Sequence, residues 1–307
     1  MSVATATATP LRSPARAWLP VAAALVSVFL WASAFVGIRA AGRTFSLGAL
    51  ALGRLMLGSI LLGALLRSRG WVRPSPRYLG LVLIAGLIWF GLYNVVLNEA
   101  ERRVDAGTAA MLVGVGPILI VILAAVFLRE RFTRALLVGG AVAFAGVLVI
   151  GLATTSGNAP LAGVILCLVA AFAYAAGVVA QKPVLDRLPA LQLTWMCCTI
   201  GAVFCLPFAP TLLRELAGAP AKSIAWMVYL AAFPTAVGFT TWAYALARGT
   251  AGRLAATTYL VPPIAVVMSW AALSEVPSAV AVLGGALCLF GVYMARRIPP
   301  MRPTPSR

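Results

Sequence analysis

A long stretch in the second half of the chain repeats the first half at a fixed offset of 145 residues. Pro117 returns as Pro262 and Glu130 as Glu275, and further pairs of residues keep the same spacing. An offset that holds through two predicted helices and their connecting loops indicates an internal duplication. In a chain that crosses a membrane, such a duplication is typical of transporters.

The composition places this duplicated chain in a lipid bilayer. Hydrophobic residues make up 62% of it and charged residues only 10%, and the mean hydropathy is +1.00. A soluble domain carries about 25% charged residues, so this chain lacks the polar groups to cover its surface in water. Its apolar runs extend over about twenty residues without the alternation of barrel strands, which predicts transmembrane helices.

Ten apolar runs with short polar connections predict an all-α membrane protein with ten transmembrane helices. The runs cover residues 19–39, 47–66, 78–98, 106–128, 134–152, 161–181, 191–212, 224–246, 253–273 and 277–295. Five helices fall in a first repeat, 18–152, and five in a second repeat, 160–296. An odd number of helices reverses the second copy in the membrane, so we expect two inverted repeats with the substrate site between them.

The net charge of +17 is distributed unevenly between the two sides of the predicted membrane. Seventeen of the 24 lysines and arginines lie in the two tails and in the connections on the same side of the membrane as the tails. Six lie in the connections on the opposite side, and Arg54 lies inside a span. Positive residues accumulate on the cytoplasmic side, so both tails, 1–17 and 297–307, are predicted to be cytoplasmic. The tails are also predicted to be disordered. The basic face is expected to meet anionic headgroups, and no nucleic-acid partner is predicted.

The N-terminal segment is also compatible with a cleaved signal peptide, because Arg12 and Arg16 precede an apolar run and the small residues 32–34. Its removal would leave the first repeat one helix short. We therefore expect the first span to be retained.

Several motifs of the chain resemble those of one family. The run LWASAFVGIR at residues 30–39 is similar to the first-helix signature of the drug/metabolite transporter superfamily, in its EamA-domain branch. The fourth and ninth predicted helices, each with a central proline and a terminal glutamate, and the glycine-rich last helix of each repeat resemble the same family. The resemblance implies an inner-membrane carrier or exporter of small metabolites, with a central cavity built mainly from the first four helices of each repeat.

The chain departs from the family pattern at two places. Ala34 stands where the family often has a polar side chain. The Ala-Leu pair that ends the third helix of a repeat is present as Ala245-Leu246, but its counterpart reads Ala100-Glu101. These differences concern the substrate contacts and leave the predicted fold unchanged.

Arg54 is the only basic residue well inside a predicted span. A charge at this depth costs free energy unless it faces water, a partner or a substrate. One interpretation is that Arg54 attracts a carboxylate-bearing substrate. The other is that it extends to the membrane interface or bonds to a broken neighbouring helix.

Pro117 and Pro262 lie near the middle of their predicted spans. A proline leaves the carbonyl four residues earlier without its helical hydrogen bond. Free carbonyls survive at this depth only beside a cavity or another polar group, which predicts a hinge at the cavity wall. A static kink used for packing is the alternative.

Other polar and aromatic side chains inside the spans are candidates for substrate binding because polar groups in lipid are costly and should face inward. Besides Arg54, the predicted substrate-binding residues are Trp31, Tyr93, Asn94, Tyr174, Trp195, Thr258 and Tyr259. Contacts between helices or aromatic belts at the interface are the alternative for each of them.

Two further repeated features are predicted to be structural. Glu130 and Glu275 each lie just before the next helix, whose N-terminal dipole favours a carboxylate. Small residues follow one face of the last helix in each repeat, which predicts close helix packing. These small residues are Gly139, Ala143 and Gly146, repeated as Gly284, Cys288 and Gly291.

The chain lacks the residues of an intramembrane enzyme. It has no histidine, its seven acidic residues lie at or beyond the ends of the spans, and its five cysteines form no C-x-x-C pair. No catalytic residue, metal site or cofactor is therefore predicted.

The sequence predicts an inner-membrane exporter of small amino-acid-like or amphipathic metabolites that works by alternating access. A lipid scramblase or channel-like facilitator stays open as the alternative. Because no carboxylate was found within a span, we expect downhill export or coupling to a substrate gradient. The predicted partners are the small-molecule substrate and the lipid bilayer, and the protein is expected to be a monomer or homodimer.

Overall fold

The computed structural model of the protein describes residues 18–104, 109, 112–154, 161–273 and 278–296. These residues form helices and no strand, which confirms the all-α prediction. The helices are α1 (Leu19–Ala41), α2 (Leu47–Arg67), α3 (Pro76–Arg103), α4 (Gly116–Leu128), α5 (Arg134–Thr154), α6 (Leu161–Val184), α7 (Ala190–Phe204), α8 (Ala209–Ala217), α9 (Ala221–Leu246), α10 (Ala251–Thr257), α11 (Val261–Leu273) and α12 (Ala279–Arg296). The predicted tails and Glu275 lie outside the described residues.

Within the described residues, six helices are long and apolar enough to cross a membrane, or seven if the bent pair of α7 and α8 is one span. Three shorter apolar helices, Gly116–Leu128, Arg134–Val149 and Val282–Ala295, accompany them. Large apolar side chains cover the outside, with Ile60, for example, 62% exposed. Such a surface is stable only against lipid, so the chain is a multi-pass membrane protein. The count of ten spans stays a prediction.

The predicted span 191–212 is not a straight helix. The axes of its two parts differ by 52°, and a short 3₁₀ segment, Leu206–Phe208, joins α7 to α8. Pro207 has no N–H for an α-helical bond and restricts the backbone of the preceding residue, which explains the break. The sequence interpretation had overlooked this pair of effects.

α3 and α9 each contain a π-helical segment, Ala85–Leu92 and Ala231–Gly238. The two segments lie at nearly equivalent positions of the two repeats. In α9 the segment includes Pro234, whose missing N–H favours a wider turn. Segments of this kind often occur at functional sites because they displace side chains from the regular helical positions.

The last helices of the two repeats, α5 and α12, pack against each other in opposite directions. Gly139 packs against Gly291, and Gly146 packs against Gly284. In the duplication, Gly139 corresponds to Gly284 and Gly146 to Gly291, so the contacts are reciprocal. Reciprocal contacts are the property of a two-fold axis. They confirm the close packing predicted from the small residues.

Residues that correspond to each other in the two repeats meet at two places, as expected close to a two-fold axis. Cys288 Sγ lies 3.4 Å from the carbonyl oxygen of Ala143, and the two residues are 145 positions apart. Near the centre of the molecule, the rings of Trp31 and Tyr174 meet with their centroids 6.4 Å apart. The first two helices of each repeat align at an offset of 143, so these two residues also correspond to each other.

Glu130 joins the two repeats at one end of the molecule, which we call the Glu130 end. Its carboxylate accepts hydrogen bonds from the backbone N–H groups of Ala251 (2.9 Å) and Gly252 (3.3 Å). Glu130 therefore faces a helix N-terminus, as predicted. That helix is α10, however, and not α5, the next helix in the chain. The following helix, α5, is capped by Thr133, whose hydroxyl accepts a bond from the N–H of Leu136.

A lysine holds the other side of the same connection. Lys182 Nζ donates to the carbonyl oxygens of Leu246 (2.8 Å) and Gly249 (2.7 Å) at the C-terminal end of α9. The negative carboxylate of Glu130 thus contacts the positive N-terminal end of α10, and the positive ammonium of Lys182 contacts the negative C-terminal end of α9. The connection between α9 and α10 is fixed from both sides, which closes the Glu130 end.

We expect Glu130→Gln to lower the free energy of unfolding by about 2 kcal/mol, because hydrogen bonds to a charged acceptor are stronger than those to an amide. The measurement is unfolding of the purified protein by titration with sodium dodecyl sulfate. Glu99→Gln is the matched control, since the one ion pair of Glu99 within the described part of the chain is partly exposed and joins it to Arg103, one turn along α3. Its effect should stay within about 0.5 kcal/mol. Equal losses in the two variants would contradict the role given to Glu130.

Candidate functional site

A cavity of about 790 Å³, counted with its opening, lies among helices of both repeats. α1, α2, α3, α6 and α9 surround it, together with the segments that lead into α4 and α11. We call it the central cavity. It is lined by Trp31, Ala34, Phe35, Ile38, Arg54, Trp89, Tyr93, Leu97, Val113, Gly114, Pro117, Tyr174, Phe239, Thr258, Tyr259, Val261 and Pro262.

An aromatic cluster closes the central cavity toward the Glu130 end. The ring of Trp31 lies 5.3 Å from that of Phe239 and 4.9 Å from that of Trp242, measured between centroids. On α9 the lining stops at Phe239, and Trp242 and Leu246 beyond it are fully buried. Together with the contacts of Glu130 and Lys182, this cluster leaves the cavity closed on that side.

The central cavity extends instead toward the C-terminal ends of α1 and α3. Its lining continues along α1 to Ile38 and along α3 to Leu97. A second cavity of about 510 Å³, counted with its opening, shares Ile38 with the first and carries Arg39, Arg43 and Arg102. We call it the arginine cavity. The two cavities adjoin along the path away from the Glu130 end.

Arg54 supplies the positive charge of the central cavity. The residue is only 4% exposed, and its Nε and Nη2 groups both donate to the hydroxyl oxygen of Thr235 at 3.1 Å. Thr235 lies in the π-helical segment of α9, so the contact joins α2 of the first repeat to the second repeat. The guanidinium is therefore held inside the protein and does not extend to the end of α2.

The guanidinium retains unused hydrogen-bonding capacity. A guanidinium has five N–H donors, and the two bonds to Thr235 leave those on Nη1 without a partner among the described residues. No carboxylate of the described residues forms an ion pair with Arg54. A buried cation without a counter-ion is costly, so the site favours an anionic ligand group.

One further polar atom in the wall lacks a partner. Trp31 Nε1 is buried and forms no hydrogen bond with any described residue, whereas the buried hydroxyl of Tyr174 lies within hydrogen-bonding reach of Thr258. Thr258, on the same wall, uses its hydroxyl as a donor to the carbonyl of Ala255. A buried donor without an acceptor costs free energy, and a ligand with oxygen atoms would satisfy it. The remaining walls are aromatic and aliphatic and suit an apolar ligand body.

The structure brings together most of the residues predicted for the site. Trp31, Arg54, Tyr93, Tyr174, Thr258 and Tyr259 line the central cavity, and so do the two predicted hinge residues, Pro117 and Pro262. Both prolines lie in the first turn of a helical segment, where a missing N–H is tolerated. Their role as hinges stays a prediction, as does the binding role of the other residues.

Two predicted residues lie elsewhere. Asn94 is buried inside α3 and donates to the carbonyl of Phe90, one turn earlier. Trp195 packs on Trp71 with ring centroids 5.7 Å apart, beside the connection between α2 and α3. Aromatic residues near helix ends are typical of the membrane interface, which is the alternative considered for Trp195.

The predicted set of substrate-binding residues did not include Thr235, Phe239 or Trp89. Thr235 and Trp89 lie in the two π-helical segments, so a regular helical period does not give the direction of their side chains. Pro234 was the available signal for the segment in α9. Phe239 is apolar, and only its place beside Trp31 relates it to the cavity.

Among the described residues, the cavity at the contact of the two repeats holds a buried cation without an ion pair in aromatic walls, an arrangement typical of membrane transporters. The EamA-like transporter family matches residues 18–152 and 161–297. The chain therefore belongs to the EamA-like transporter family, as its motifs predicted. This membership points to a transporter and not to an enzyme.

Relatives of this chain include proteins named as exporters. A protein of Streptantibioticus cattleyicolor, "Probable terminal-alkyne amino-acid exporter", is 38% identical over 90% of this chain and 92% of its own length. A "Probable amino-acid metabolite efflux pump" of Salmonella typhimurium is 27% identical over 70% of this chain and 76% of its own. A solved structure titled "Crystal structure of protein" has a TM-score of 0.73 at 20% identity, covers 90% of this chain and 96% of that one, and shows the same fold.

Proposed function

We propose that this protein exports amino-acid-like metabolites with an apolar side chain across the cell membrane. The unpaired guanidinium of Arg54 in an otherwise aromatic and aliphatic cavity carries the proposal. The substrate carboxylate would neutralise this guanidinium, and the apolar side chain would occupy the space beside Trp31 and Tyr174. The relatives named as exporters of amino acids or their metabolites support the same substrate class.

The mechanism that we propose is alternating access between two inverted five-helix repeats, with ten spans in all and both termini in the cytoplasm. The reciprocal contacts of α5 and α12 support inversion, because helices that run in opposite directions around a two-fold axis have that axis in the membrane plane. The unequal distribution of lysine and arginine supports a cytoplasmic location for the Glu130 end. The conformation described here then has its cytoplasmic end closed and its cavity directed outward.

Three related compounds test the substrate class. Propargylglycine is a terminal-alkyne amino acid, pentynoic acid is the same chain without the amino group, and butynylamine is the same chain without the carboxylate. Flux of each compound is measured in proteoliposomes that contain the purified protein. We expect flux of the two carboxylates and none of butynylamine, because only a carboxylate pairs with Arg54.

Flux of butynylamine equal to that of the two acids would contradict a carboxylate-selective site. The same liposomes, loaded with a fluorescent phospholipid, separate this proposal from the scramblase alternative. Rapid lipid exchange between leaflets without flux of any of the three compounds would favour the scramblase.

A further inference from the structure

The arginine cavity contains two buried hydrogen-bond acceptors that have no donor. Asn98 is 3% exposed, and its Nδ2 donates to the carbonyl of Leu47 at 3.0 Å. Its Oδ1 is bonded to no described residue, and the same is true of Glu101 Oε1. Both residues line this cavity. Unsatisfied buried acceptors are costly, so the pair favours a ligand that carries N–H groups and a positive charge.

The arginine cavity also contains unused donors. Arg39, Arg43 and Arg102 line it, and none of them forms a hydrogen bond or ion pair with a described residue. Lys182, the repeat counterpart of Arg39, is instead bonded to two carbonyl oxygens at the closed Glu130 end. The basic side chain at this repeat position is thus fully bonded at the Glu130 end, whereas at the opposite end it lines an open cavity.

The repeat also indicates that these polar groups are not needed for packing. Asn98 corresponds to Ala243 and Glu101 to Leu246, and both counterparts are fully buried apolar residues. Helices α3 and α9 occupy equivalent places in the fold, so apolar side chains satisfy this position structurally. The first repeat carries an amide and a carboxylate where packing requires neither.

We propose that the arginine cavity is a second binding site for the zwitterionic form of an α-amino acid, on the route from Arg54 to the outside. The ammonium group binds the oxygens of Glu101 and Asn98, and the carboxylate binds Arg39 and Arg43. This proposal rests on the proposed function and adds recognition of the amino group, which strengthens binding without being essential for transport. A zwitterion matches the cavity because its ammonium and its carboxylate can satisfy the orphan acceptors and the unpaired arginines together.

Glu101→Gln separates the two carboxylate probes in the liposome assay. We expect the KM of propargylglycine to rise about tenfold, because a charge-assisted bond to its ammonium is lost. The KM of pentynoic acid should stay unchanged or fall, since that probe has no ammonium and loses only a repulsive neighbour. Its flux in the same liposomes also demonstrates that the variant is folded. Glu99→Gln, on the same helix, is the control and should change neither KM.

A second measurement isolates the arginine cavity from Arg54. In an Arg54→Gln background, saturation-transfer NMR of the detergent-solubilised protein should still detect bound propargylglycine. Adding Glu101→Gln should weaken that signal about tenfold, while adding Glu99→Gln should not. If Glu101→Gln shifts the KM of both probes equally, or of neither, the second site is refuted while carboxylate export stands. If the unmodified protein carries neither acid, the proposed function itself fails.

Discussion

Replacing Arg54 with glutamine is expected to reduce propargylglycine flux at least ~100-fold, which corresponds to about 3 kcal/mol of lost binding in the transport cycle. Glutamine keeps a polar side chain near Thr235 but has no charge for the substrate carboxylate. Flux is measured in proteoliposomes at equal protein content. Arg103→Gln is the matched control, since Arg103 is partly exposed and, among the described residues, forms an ion pair with Glu99 alone.

The stability of the Arg54→Gln variant distinguishes a binding role from a structural one. A buried guanidinium whose only described partner is the Thr235 hydroxyl contributes an unfavourable charge to the empty protein. Removing it should leave the free energy of unfolding in sodium dodecyl sulfate unchanged or raise it, although transport is lost. A variant that loses stability together with transport would indicate that Arg54 serves the fold.

Thr235 provides a graded version of the same experiment. Thr235→Ser keeps the hydroxyl acceptor and should transport like the unmodified protein, whereas Thr235→Val removes it. In the valine variant Arg54 keeps its charge but loses its orientation, so we expect about a tenfold higher KM. Unchanged kinetics in the valine variant would mean that Thr235 does not position the guanidinium.

The duplication made much of this architecture predictable. Its offset placed Gly139 and Gly146 in the same structural role as Gly284 and Gly291, and the structure brings these glycines together. Arg54 was identifiable alone, because a charge inside an apolar span has few possible roles. Such features depend on composition and local spacing, which a sequence displays directly.

The contacts of the site depend on packing between distant segments. Arg54 and Thr235 are 181 positions apart, and their contact requires a π-helical segment that no hydrophobic period reveals. Glu101 was interpreted as a boundary residue because it lies near the end of α3. Only the cavity beside it shows that its Oε1 is buried and unpaired. Helix ends are therefore where the sequence was least informative.

The contact between α5 and α12 predicts the largest effect on stability. A Cβ atom added at Gly139 would lie 2.6 Å from the carbonyl oxygen of Gly291 and 2.8 Å from the Cα of Ala295. These are backbone atoms of another helix and cannot rotate away. We expect Gly139→Ala to lower the free energy of unfolding by about 3 kcal/mol, at the upper end of the cost of overpacking. Titration with sodium dodecyl sulfate measures it.

The neighbouring residue provides the control. Gly140 lies next to Gly139 in α5, but a Cβ atom there meets nothing within 4 Å. Gly140→Ala should therefore be neutral or stabilising by up to about 1 kcal/mol, because alanine favours the helix. The two-fold relation extends the test to Gly146→Ala and Gly291→Ala, whose added atoms would lie 2.6 Å from the carbonyl oxygens of Gly284 and Gly139. All three inward substitutions should cost similar amounts, since they press on the same pair of helices. A tolerated alanine at Gly139 would mean that the repeats do not meet along this face.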